Sequence, residues 1–254
     1  GKYHPDPTIS MYNFLYSKGA RIFNQSYGVD SQVTDSKWNN PYYVEAQMGS
    51  DILSFYKTAV NDGSLFVWAA GNNKKDSNPS LEAGLPYRVS ELEKGWINVV
   101  GLANSSKENP GNTEWSKQER LSGAGVAKNW TVSAVSGITF KTGDNNYQAN
   151  GSSFAAPMVT GTAALLKEKY PWMDGSLIRQ TILSTATDIG KKGVDEDFGW
   201  GLLNIDKALK GPALFDKRLA LGDTVNINIP NGSYTFSNNI SGNAGVVKDG
   251  NGDL

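Results

Sequence analysis

No charged side chain occurs between Asp144 and Lys167. Small residues come first in that run (Gly151, Ser152, Ser153, Ala155, Ala156). Larger aliphatic ones follow, ending in Leu165-Leu166, and Lys167-Glu168-Lys169 closes it. A helix that is apolar on most sides has to be covered by protein. A membrane span needs about 20 mostly apolar residues, and Asn150, Ser152, Ser153, Pro157, Thr160 and Thr162 break this run too often for that. The stretch therefore reads as a tight turn at Asn150-Gly151 feeding a buried helix that surfaces near Lys167. Whatever the chain folds into must wrap this helix. Ser153 stands where the helix opens, at unpaired N–H groups and the positive end of the dipole. That place suits a developing oxyanion. Read alone, Ser152 or Ser153 equally serves as a helix cap.

The rest of the chain has the length and composition to do the wrapping. Its 254 residues are enough for one sizeable core with a small appendage. Hydrophobic residues make up 39% and charged ones 19%, with 28 Gly and 11 Tyr, which points to a loop-rich globular fold. A net charge of −1 gives no reason to expect nucleic acid or an anionic membrane as partner. Cysteine is absent, so disulfides and thiolate metal sites are excluded. That absence suits a cytosolic protein and equally a bacterial one that crosses an outer membrane unfolded. No signal-like or transmembrane run occurs, and Gly1-Lys2-Tyr3 does not look like a natural start.

In chain order, residues 1–7 carry the only histidine, His4, in a Pro-rich loop. A short helix runs through Tyr12, Leu15 and Tyr16 and stops at Gly19. Ala20–Gln25 reads as a strand. Tyr43–Val60 reads as one helix, with Val44, Met48, Ile52, Tyr56 and Ala59 on its apolar face. Leu65–Ala70 is a short apolar run, as in a strand covered on both faces, and it enters Gly71-Asn72. Strand, helix and strand together predict a parallel unit. Further strands are expected at Trp96–Ala103, Leu121–Ala127 and Trp130–Val135, with a hairpin before Asn150. Ser176 would cap a surface helix carrying Leu177, Ile178, Ile182 and Leu183. Asp195, Glu196 and Asp197 read as a solvated turn, with a calcium site as the alternative. After a linker at Gly211-Pro212, alternating apolar residues and Gly/Asn turns read as a β-meander or the first rungs of a β-solenoid.

Five phrases carry a resemblance to one family. Gly151-Ser152-Ser153-Phe154-Ala155-Ala156-Pro157, with Gly161 and Ala164-Leu165-Leu166, resembles the nucleophile motif of subtilisin-like serine proteases, with Ser152 in place of the usual Thr. Ala69-Ala70-Gly71-Asn72 resembles the segment of that family whose Asn donates to the oxyanion. Ala20–Gly28 resembles its Ser-x-Gly cleft strand. Gly199–Ala208 is similar to the phrase that closes the domain, and Ala83–Tyr87 to a Gly-Tyr-Pro segment whose proline bond can be cis. The resemblance implies an α/β fold with a mostly parallel sheet and helices on both faces over residues 1–210. It implies Ser153 as nucleophile and Asn72 with the Ser153 N–H as oxyanion donors. Ser26, Tyr27 and Gly28 would bind substrate backbone, and Ala69, Ala70 and Gly71 would wall the pocket for the residue before the cleaved bond. It implies a protein or peptide substrate and no cofactor; calcium in the parent protein is left open and unplaced. Residues 211–254 form a β-rich extension, and Val246–Leu254 resembles the repeat that opens the β-helical passengers of bacterial autotransporters. That implies a secreted or cell-surface bacterial protein.

The family's Asp and His are not found. Neither Asp-(Ser/Thr)-Gly nor His-Gly-Thr-His occurs, and His4-Pro5-Asp6-Pro7 does not match. Serine is too weak an acid to attack a peptide unaided. The expectation is a fragment holding the nucleophile and oxyanion half of a protease, inactive alone, whose partner is the missing first part of its own domain. The alternative is a non-catalytic binding or adhesin-type passenger. An α/β-hydrolase is disfavoured, since Gly151-Ser152-Ser153-Phe154-Ala155 lacks the closing Gly of that nucleophile elbow.

Overall fold

A computed structural model describes residues 7–103, 115–143 and 145–254. His4 and most of the turn-rich loop expected at 104–118 lie outside the described residues. The elements in order are α1 (Ile9–Ser17), β1 (Ile22–Gln25), α2 (Pro41–Met48), α3 (Ser50–Asn61), β2 (Leu65–Ala69), β3 (Trp96–Leu102), β4 (Thr131–Val135), β5 (Gly137–Thr142), β6 (Asn145–Asn150), α4 (Ser152–Lys169) and α5 (Gly175–Thr185). Then come α6 (Ile205–Ala208), β7 (Leu214–Phe215), α7 (Lys217–Ala220), β8 (Thr224–Asn228), β9 (Ser241–Gly242) and β10 (Gly245–Asp249).

β1 to β4 form one four-stranded sheet in that order, parallel throughout. Strands buried on both faces read as nearly continuous apolar runs, and β2 and β3 are buried along their whole length, with Asn98 of β3 the one polar side chain, bonded to the Thr131 hydroxyl at 2.9 Å. The side-chain period of two divides them between two cores. Leu65, Val67, Ala69, Ile97 and Val99 face α4 and α5. Phe66, Trp68 and Trp96 face α1 to α3 with Phe23, Phe55 and Tyr56. The rings of Phe23 and Phe66 stack with centroids 4.8 Å apart, and those of Trp68 and Trp96 at 5.3 Å.

Four local expectations need correction. Tyr43–Val60 is two helices, because Gly49 adopts φ +83°, a conformation that suits glycine and ends α2. Asn40 starts α2 by accepting from the Tyr42 N–H at 3.0 Å, with Pro41 at its first position. Leu121–Ala127 is irregular backbone leading into a 3₁₀ turn at Gly125–Trp130. α5 is capped by Asp174, which accepts from the Leu177 N–H at 2.8 Å, and it is a buried helix. Its polar residues Arg179, Thr181 and Thr185 lie inside the protein because their bonds are made there, and Gln180 is buried with only its Nε2 bonded, to the Ser176 hydroxyl. Thr181 and Thr185 donate to carbonyls one turn back. Arg179 donates to the Trp96 and Leu219 carbonyls and to Glu93. Burial lowers its pKa to about 10 against the pull of Glu93. Finally, no peptide bond among the described residues is cis, Leu85–Pro86 included.

Residues 211–254 share the core of the sheet. Phe215, Leu219, Val225, Ile227 and Ile229 join the cluster under α4 and α5. The Tyr170 hydroxyl donates to the Thr235 carbonyl at 3.1 Å, and Phe236 packs edge-on against its ring. β8 pairs with β10 in parallel, Thr224 beside Gly245, and Ser233 meets Asp253 in a parallel bridge. β7 pairs with β9 in parallel as well, Leu214 beside Ser241, so the chain returns beside itself after 27 residues there and after 21 and 20 at the two later pairings. All five residues of β10 are exposed.

Candidate active site

The site lies at the C-terminal ends of β1 and β2, where α4 begins. β6 ends at Asn150, and Gly151 is extended (φ 168°, ψ 144°), so the expected tight turn is a single extended residue. Ser152 is already helical. A helical carbonyl normally accepts from the N–H four residues on. For the Ser153 carbonyl that residue is Pro157, which has no N–H. The Ser26 hydroxyl donates to the freed carbonyl at 2.9 Å, and the Ser153 hydroxyl donates to the Ser26 carbonyl at 3.1 Å. Two bonds therefore fasten the segment after β1 to the first turn of α4. Pro157 creates the vacancy that makes one of them possible.

β2 delivers Asn72 to the same place. Gly71 has φ +121°, and a Cβ there would lie 2.8 Å from the Ser122 hydroxyl. Only glycine serves at that bend. The Asn72 Oδ1 accepts from the Ser152 N–H at 2.8 Å and from the Ser152 hydroxyl at 3.0 Å. A backbone N–H can only donate, so the oxygen end of the amide must face Ser152. The Nδ2 end is left as the outward donor.

Between these segments runs a cleft of about 550 Å³. One wall is Tyr27 to Asp30. The other is Ala69 and Gly71 to Lys74, with Ser80 also lining it and Ser152 and Ser153 at one end. Tyr27 is held from behind by a chain of phenols. Its hydroxyl bonds that of Tyr12 at 2.9 Å, and Tyr12 bonds Tyr56 at 2.8 Å and Gln25 at 2.9 Å. Burial pushes the Tyr27 phenol far above its ordinary pKa, so it stays neutral.

The structure thus brings together Ser153, Asn72, Tyr27, Gly28, Ala69 and Gly71, with Ser26 bonded to Ser153. Ala70 does not line the cleft. It is fully buried, its N–H donates to the Val99 carbonyl and its carbonyl accepts from the Ser80 N–H. Val29, Asp30, Asn73, Lys74 and Ser80 line the cleft and escaped the sequence reading, and Ser152 stood out only as a departure from Thr and a candidate helix cap. In the acidic cluster, Asp195 accepts from the Lys191, Asp197 and Phe198 N–H groups. Asp197 pairs with buried Arg120 at 2.8 Å, and Glu196 reaches Lys128. These carboxylates face different partners, and no group of three or more His, Cys, Asp or Glu side chains converges among the described residues. Nor is any helix among them long and apolar enough to cross a membrane.

Chemically, the Ser153 hydroxyl has an acceptor, and no basic side chain bonds it among the described residues. The Ser26 carbonyl can orient its proton and cannot take it. The Ser153 N–H at the start of α4 and the Asn72 Nδ2 are the donors beside it, since the Ser152 and Phe154 N–H groups are bonded to Asn72 Oδ1 and the Gly151 carbonyl.

A parallel sheet crossed by a long helix, with a cleft at the strands' C-terminal ends, defines the α/β fold of the subtilisin-like class. The solved Patellamide maturation protease PatA shares it, with a TM-score of 0.56 at 21% identity over 84% of this chain and 68% of that one. The chain belongs to the subtilase family, whose model matches residues 4–201. The "Neisserial autotransporter lipoprotein NalP" of Neisseria meningitidis serogroup B is 40% identical over 204 residues, 76% of this chain and 18% of that protein. An "Extracellular serine protease" of Serratia marcescens is 30% identical over 222 residues, 80% of this chain and 21% of that protein. The chain spans about a fifth of the length of these relatives.

Proposed function

We propose that these residues are the nucleophile half of a secreted or surface-displayed bacterial serine endopeptidase. The observation that carries this is the joint placement of Ser153 at the mouth of α4 and of Asn72 beside it with Nδ2 outward. Ser153 attacks the scissile carbonyl of a protein or peptide substrate. Asn72 Nδ2 and the Ser153 N–H receive the oxyanion, and the Ser26–Gly28 and Ala69–Gly71 segments hold the substrate. The base and its orienting Asp come from the first part of the same domain, outside these 254 residues. β1 supports that docking, being paired on one side only among the described residues. No cofactor takes part; calcium in the parent protein is a separate question. Residues 211–254 are the first coils of a parallel β-solenoid, a reading supported by the 20- and 21-residue returns and by exposed β10. The names of the neisserial and Serratia relatives support the location.

The test is turnover of a casein-type substrate. The parent protein cleaves it, and the isolated 254 residues do not, because losing the base of such a triad costs on the order of 10⁶ in kcat, the loss known for subtilisin. Robust turnover by the isolated chain overturns the half-site reading. A parent protein that binds peptides without cleaving them favours a passenger that uses the cleft for adhesion, a reading the coiled tail also fits.

A further inference from the structure

We propose that Gln32 is a positioning residue that sets the spacing of the two cleft walls, and through it which side-chain sizes the cleft accepts just before the cleaved bond. The inference rests on the proteolytic reading above. Beyond Asp30 the first wall runs on into Ser31-Gln32-Val33, and beyond Lys74 the second runs on into residues 75–81. The two runs meet at Ser80, which is buried and lines the cleft. The Val33 N–H donates to the Pro79 carbonyl at 2.9 Å and the Leu81 N–H to the Ser31 carbonyl at 3.1 Å, so that Gln32 and Ser80 form an antiparallel bridge. The Ser80 N–H donates in turn to the Ala70 carbonyl at 2.8 Å. Just before this bridge the second wall turns at Asn78, and side chains hold the turn. Gln32 Oε1 accepts from the Asn78 N–H at 3.0 Å and from Asn78 Nδ2 at 3.3 Å. On its other side Asn78 Oδ1 accepts from the Val126 N–H at 3.0 Å. A backbone N–H only donates, so Oδ1 must face Val126, and both Asn78 donors are left for an acceptor on the first wall. The far side has no slack, since a Cβ at Gly125 would overlap Asn78 Oδ1. Among the described residues the Gln32 side chain bonds Asn78 alone, and through Oε1 alone. It crosses from one wall to the other and holds nothing else.

The experiment uses the full-length protease, with Gln32→Leu, which keeps the bulk and removes the acceptor, and Gln32→Glu, which keeps Oε1. Chromogenic peptides differ only in the residue before the cleaved bond, from Ala through Leu to Phe. Without the tie the walls part, so Gln32→Leu raises kcat/KM for the Phe peptide relative to the Ala peptide about tenfold, the worth of one such hydrogen bond or two. KM for the peptide that the wild type prefers rises. Its kcat stays within about threefold, because Ser153 and the Ser152 bonds to Asn72 stand on α4. Gln32→Glu restores the wild-type ratio. An equal loss on every peptide reports weakened folding alone and overturns the proposal. So does an unchanged ratio, or a Gln32→Glu that behaves as Gln32→Leu does. If the wild-type protease turns nothing over, the proteolytic reading fails, and hydrogen exchange still judges the tie. The Asn78 amide is protected in the wild type and exchanges at least tenfold faster in Gln32→Leu; an unchanged rate overturns the proposal.

Discussion

Two hydrogen-bonded clusters lie at opposite ends of the parallel strands, one at the start of β3 and one just past the end of β2, and they are built in opposite ways. Around Arg179 the nitrogens Nε, Nη1 and Nη2 are all engaged, on Trp96, Leu219 and Glu93, and the guanidinium is fully buried. Around Asn72 and Ser153 the groups are neutral, and the donors that would face an oxyanion stay open. The first cluster ties α5, β3 and the end of α7 into one body. The second holds a few groups still and leaves the rest of their bonding to something that arrives. A satisfied cluster reads as structure, a deliberately incomplete one as function.

Three substitutions sharpen that contrast. The largest effect is expected at Arg179. Arg179→Met leaves the half-buried Glu93 without its partner and the Trp96 and Leu219 carbonyls without their donor, and should destabilise the fold by about 3 kcal/mol, the low end for breaking a buried pair. Urea denaturation measures it, and a midpoint unchanged from wild type would show that this cluster does not hold the tail and sheet together. Asn72→Ala should do the reverse. In the parent protease it should lower kcat by about 10²–10³, while the urea midpoint moves by about 1 kcal/mol or less, the worth of a lost cap.

The smallest effect is at the tail. The Asp216 carboxyl is held below its ordinary value, chiefly by its bonds from Arg218. A depressed carboxyl adds stability above its unfolded pKa and loses it as pH falls through the folded value. Asp216→Asn should therefore lower stability slightly at neutral pH, with the difference from wild type vanishing as pH falls below about 4, so that the acid side of the profile flattens. Thermal melts across pH 3 to 7 check this, and identical acid slopes would remove Asp216 from the account.

How much of this was legible beforehand depended on whether a residue's role was written locally. The motif around Ser153 and the Ala69–Asn72 turn were legible because small residues and glycines have few other reasons to stand in that order. β2 and β3 were legible because a strand buried on both faces cannot hide its composition. The break at Gly49 was missed because Val44 through Ala59 keeps helical spacing across it. α5 was misjudged because Thr181, Thr185 and Arg179 look solvent-facing until their distant partners at Trp96, Leu219 and Glu93 are known. Ser152 and Asn72 are 80 residues apart in sequence. No local pattern announces that one bonds the other, nor that Pro157 frees the carbonyl that Ser26 takes.

The central claim is that Ser153 is a nucleophile awaiting its base. Labelling with a fluorophosphonate tests it most directly, followed by mass spectrometry of the peptide containing Ser153. The parent protein should carry one phosphonyl group on Ser153, and the 254-residue chain should carry none under the same conditions. Labelling of the isolated chain at the same rate, or a parent protein that stays unlabelled at Ser153, would contradict the account.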